Sequence, residues 1–69
     1  MSISREIRSV LIRRGKTLSA WAREAGHSIP TVRLYLHRVD NGKPPKGPTA
    51  IRIFQDLERD TGVSIPRGN

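Results

Sequence analysis

The stretch Leu18–Leu36 reads LSAWAREAGHSIPTVRLYL. Two short helical segments flank one glycine. Leu18, Trp21, Ala22 and Ala25 recur at helical spacing and give the first segment an apolar face. Val32, Tyr35 and Leu36 fall on one side of the second. Ala22 stands four residues before Gly26, and Val32 stands six after it. Short helices pack at a steep angle when a small residue sits where their backbones approach and a glycine makes the turn. The spacing predicts a helix-turn-helix, with the second helix turned outward as a DNA major groove requires.

Charge points the same way. The chain has 69 residues, 13 Lys+Arg against 6 Asp+Glu, and a net charge of +7. Residues 1–38 hold eight basic and two acidic side chains; residues 39–69 hold five and four. The positive field thus sits on the helix-turn-helix half, as expected of a polyanion binder. The bland reading is solubility charge on a small protein. The length suits one domain, 1–69, with a core of about a dozen apolar side chains. With no cysteine, disulfides and cysteine zinc sites are excluded. No apolar run approaches the ~20 residues of a membrane span. The charged opening MSISREIRS does not suit a signal peptide. A cytoplasmic, nucleoid-associated protein is expected.

Working outward, the pattern predicts an all-α domain of four short helices, a fifth being allowed. The first runs from about Ser4, its cap, to Arg14, with Ile3, Ile7, Val10 and Leu11 on its stripe and Gly15 ending it. The second starts after Thr17 and ends near Ala25. The third begins at Ser28 or Ile29, with Pro30 in its first turn, and reaches about Arg38. Asp40 to Gly47, rich in Gly, Pro and Asn, reads as a loop. The fourth helix starts at Pro48, carries Ala50, Ile53, Phe54 and Leu57, widened by Ile51, and ends before Gly62. Val63 and Ile65 are expected to pack back on the body, and the last few residues to be disordered.

From Leu11 to Leu36 the chain follows L-x-R-R-x-x-x-L-S-A-x-x-R-x-x-G-x-x-x-x-T-V-x-x-x-L. This pattern resembles the Ner repressor of Mu-like bacteriophages and the Nlp-type regulators of bacterial prophages. Pro45-Lys46-Gly47, then A-I-x-x-x-x-x-L-E from Ala50 to Glu58, extend the likeness. The V-x-I-P-R of Val63 to Arg67 is similar to that family's C-terminal V-I-W-P-S-R element. Trp21 stands where the family usually has leucine, and Asp40-Asn41-Gly42 lengthens the loop. The resemblance implies a lambda-repressor-like domain that binds operator DNA and regulates phage genes.

On this layout Trp21, Ala22, Ala25, His27, Val32 and Tyr35 hold the two helices together, with His27 a partly buried turn residue. The outward face of the third helix offers Ser28, Ile29, Pro30, Thr31, Arg33, Leu34 and His37 to the bases. Arg33 leads, because a guanidinium bonds guanine O6 and N7 together. Leu34 is readable equally as a core residue. Phosphates are expected at the N–H groups of Thr17, Leu18 and Ser19, where the helix dipole is positive. Arg14, Lys16, Arg23, Arg38, Lys43 and Lys46 add charge there, although each reads alternatively as a solvated cation.

Enzyme chemistry is not expected. No Ser-His-acid spacing or H-E-x-x-H occurs, and His27 and His37 lack a carboxylate pair to form a metal site. Asp56, Glu58 and Asp60 alternate along a helix and cannot all share one face. No cofactor, small-molecule substrate or membrane partner is implied. Two classes remain: a sequence-specific binder of double-stranded operator DNA, or a small protein-interaction module or accessory subunit of a nucleoprotein complex. A homodimer on DNA is allowed, but no heptad or exposed apolar stripe marks a dimer face.

Overall fold

The computed structural model describes residues 2–65. Four helices follow in order: α1 (Ile3–Arg13), α2 (Leu18–Ala25), α3 (Ile29–Asp40) and α4 (Gly47–Thr61). No strand occurs among the described residues. The expectation of a disordered end falls on residues 66–69, as does Arg67, and both lie outside the described residues.

Each helix carries apolar residues at three- and four-residue spacing, and these stripes meet in one core. Ile7 and Leu11 come from α1, and Leu18, Trp21 and Ala22 from α2. Val32, Leu36 and Val39 come from α3, and Ile53, Phe54 and Leu57 from α4. Full burial of such side chains stabilises by roughly 1.5–3 kcal/mol each. Ile65 joins this cluster and Val63 packs against it, so the tail folds back as expected. The Ile65 N–H donates to Glu58 at 2.9 Å and fixes that return. Ile51 does not widen the α4 stripe; it is exposed, one residue beyond the buried Ala50.

The ends of the helices follow local chemistry. Thr17 caps α2, its hydroxyl accepting from Ala20 N at 3.1 Å. Gly26 ends α2 with φ of +79°, a left-handed conformation that a side chain would strain. Its turn is closed by His27 N donating to the Ala22 carbonyl at 2.8 Å. This pairing returns the chain sharply and begins α3 after only Ser28.

Two boundaries differ from the sequence reading. Ser2, not Ser4, is the α1 cap, accepting from Arg5 N at 3.2 Å. Ser4 lies within the first turn, where its N–H and hydroxyl both donate to Asp40. Asp40 is therefore not loop. α3 continues to it because Val39 is buried and the Asp40 carboxylate closes the α1 N-terminus. Partial burial pushes that carboxyl up, but the bonds from Ser4, Ser2 and Ile3 outweigh it and hold it below the usual range.

Candidate nucleic-acid interface

α3 presents one side to the core and the other to solvent. Val32, Leu36 and Val39 are buried, whereas Ser28, Pro30, Arg33, Leu34 and His37 are exposed. Pro30, Arg33, Leu34 and His37 follow one another at i, i+3, i+4 and i+7 and so form one stripe. Leu34 is 47% exposed, which places it on this stripe and not in the core. Thr31 is half-buried at its edge. Ile29 is a correction: its half-buried side chain packs against the core, so it leaves the outward set.

A basic cleft lies at each end of the stripe. Arg8, Thr17, Leu18, Ser19 and Arg33 line the first. The Leu18 side chain is buried, so only its backbone faces the cleft. The first helical bond of α2 runs from Trp21 N to the Thr17 carbonyl. The N–H groups of Leu18 and Ser19 precede it and have no partner within the helix. They add a positive dipole end to two guanidinium groups. Arg8 was not expected here. It follows the buried Ile7 directly, and only the placement of α1 beside the start of α2 brings it in.

The second cleft lies between the end of α3 and the following loop. Tyr35, Arg38, Lys43, Pro44, Pro45 and Lys46 line it. The Arg38 guanidinium stands 5.8 Å from the Tyr35 ring centroid, a cation–π contact that positions it. Tyr35 meets Phe54 edge-on, with ring centroids 6.5 Å apart. Arg38 is thus tied through one aromatic ring to the core.

Ion pairing sorts the cations into two groups. Lys16 bonds Glu24 at 2.7 Å, and Arg14 donates to the carbonyl oxygen of Asp60. Both were expected at phosphates, and both are engaged within the fold. Among the described residues, no carboxylate pairs with Arg8, Arg23, Arg33, Arg38, Lys43 or Lys46. Arg23 is exposed on α2 outside both clefts.

The acidic residues of α4 make contacts with the rest of the fold. His27 Nε2 and Asp56 Oδ2 lie 2.8 Å apart, with both side chains largely buried. This bears out His27 as a partly buried turn residue and supplies the partner that the sequence did not reveal. Trp21 Nε1 donates to Asp60 at 2.8 Å. That indole bond, with the Arg59 bond behind it, holds the Asp60 carboxyl below its usual range. Asp56 and Asp60 therefore pin α2 and its turn from one side of α4, while Glu58 holds the tail.

At the far end of α3, Asn41 Nδ2 donates to the His37 carbonyl oxygen at 2.8 Å. The same nitrogen lies 3.2 Å from His37 Nε2. Among the described residues no group of three His, Cys, Asp or Glu side chains is placed to hold a metal ion, and no helix is long and apolar enough to cross a membrane. Comparison with family models, curated proteins and solved structures finds no significant match to this chain.

Proposed function

We propose that this chain is a sequence-specific binder of double-stranded DNA and a transcriptional regulator of phage or prophage origin. α2 and α3 form its helix-turn-helix, on a lambda-repressor-like frame, and α3 lies in the major groove. The observation that carries this reading is the exposed α3 stripe bounded at both ends by clefts of unpaired cations. α3 has 12 residues, about 18 Å at helical rise, and the major groove is about 12 Å wide. A helix of that length lying in the groove brings its two ends near the two phosphate rows.

The roles then divide. Leu18 and Ser19 N–H groups, with the Thr17 side chain beside them, hold one phosphate together with Arg8 and Arg33. Arg38, Lys43 and Lys46 hold the opposite row, and Arg23 adds general attraction. Arg33 lines the first cleft with the α2 N-terminus, which draws it to a phosphate in place of guanine. Base contacts fall to Ser28, Pro30, Thr31, Leu34 and His37. The resemblance to Ner-type regulators supports operator binding as the function.

Selection of bound sequences from a random duplex pool tests the proposal, and the enriched sites would also give half-site spacing and stoichiometry. A narrow consensus with steep salt dependence is the expected result. A protein-interaction module would enrich no sequence and show a shallow dependence on salt.

A further inference from the structure

We propose that His37 sets the base preference at the C-terminal end of the α3 contact, and that Asn41 fixes which ring nitrogen it uses. The proposal rests on the DNA-binding reading above. Asn41 Nδ2 donates to the His37 carbonyl oxygen. That bond settles the orientation of the amide, because its oxygen in the same place would face another acceptor. The same NH2 group has a second hydrogen to offer His37 Nε2, 3.2 Å away. An NH2 group only donates, so Nε2 accepts and carries no hydrogen. The neutral ring then keeps its proton on Nδ1.

Nδ1 has no hydrogen-bond partner among the described residues. His37 is exposed on the stripe that holds Arg33 and Leu34. It therefore offers the groove one N–H donor, on a ring whose rotation Asn41 restricts. A single donor suits acceptor edges. Guanine presents two acceptors in the major groove, O6 and N7, whereas cytosine presents the N4 donor. His37 thus favours guanine over cytosine at one position. A ring able to exchange tautomers would answer either edge and discriminate less. Asn41 touches no base in this scheme; it is a positioning residue.

Two measurements test this. Nitrogen-15 spectra of the free protein, at a pH where the ring is neutral, should show His37 protonated on Nδ1. Protonation on Nε2 would overturn the proposal. In duplex selections, His37→Ala should reduce affinity about fivefold to tenfold on sites with guanine at one position, with little change on sites with cytosine there. Asn41→Ala removes the donor to Nε2, frees the ring to exchange tautomers and should flatten the preference for guanine over cytosine at that position. Both residues are exposed, and unchanged circular dichroism checks that the variants fold. Equal loss on every duplex for His37→Ala would remove His37 from base reading and leave DNA binding standing. Unchanged preference in Asn41→Ala would remove the positioning role. Failure of the unaltered chain to bind any duplex would sink this proposal together with the one beneath it.

Discussion

The cleft-bearing side of the molecule and α4 use charged residues in opposite ways. At the two clefts, five cations have no carboxylate partner among the described residues. On α4, Asp56 and Asp60 are engaged with His27, Trp21 and Arg59. A net charge of +7 alone would not distinguish a diffuse cloud from a directed surface. The fold gathers five of the cations at two clefts and engages Asp56 and Asp60 in internal contacts. The α4 acids hold the frame of the helix pair, and the cleft cations keep their charge unpaired among the described residues.

The largest expected effect bears on the open side. About five phosphate contacts give a slope of about −4.5 in log affinity against log salt. Fluorescence anisotropy with a selected duplex measures it, and a slope near zero would end the comparison. Next comes the frame. Phe54 is buried at the junction of α4 with the Tyr35 ring. Phe54→Ala should cost about 3–5 kcal/mol in denaturant unfolding. Ala22 is fully buried in α2, and Ala22→Leu should cost about 1–3 kcal/mol by overpacking. An unchanged unfolding midpoint would mean that the helices do not cross tightly there.

A sharper contrast removes one positive charge from each side. Arg33→Ala should weaken binding to all duplexes by a similar factor and lower the salt slope by about one. Arg59→Ala, whose guanidinium already faces Asp56 and Asp60, should leave the slope unchanged. Loss of preference at a single base for Arg33→Ala would return Arg33 to base reading. The smallest effect concerns acid. Asp40 and Asp60 both have depressed carboxyl values in the fold. Their contribution is present above the unfolded value of about 3.9 and fades as pH falls through the lower folded values. The unfolding temperature should therefore drop once the pH falls under about 4, and less steeply in Asp40→Asn. An equal acid response in that variant would show that Asp40 contributes nothing.

The helices were legible in the sequence because their causes are local. Gly26 follows an apolar stripe and Thr17 precedes one, so the bounds of α2 needed no distant information. Leu34 was ambiguous because a stripe edge has no fixed width until a neighbouring helix is placed. Asp40 was misread for a related reason. Beside Asn41 and Gly42 it looks like turn chemistry, yet its partners, Ser2 and Ser4, lie 38 and 36 residues away. Arg8 and the His27–Asp56 contact were hidden likewise, since no spacing rule links α1 to the start of α2 or the turn to α4. The outward face of α3 was readable in outline, but which cations stay unpaired was decided by the placement of the acids.

The Asp40 clasp also bears on motion. The last turn of an isolated helix frays first, and α3 ends beside His37, where base reading is assigned. Here that turn is bonded to the first turn of α1, so opening either end breaks the same contacts. Amide hydrogen exchange should find these two distant segments protected as one cooperative unit, not as two independent frayed ends. The last turn of α3 is thereby kept ordered by residues at the very start of the described chain.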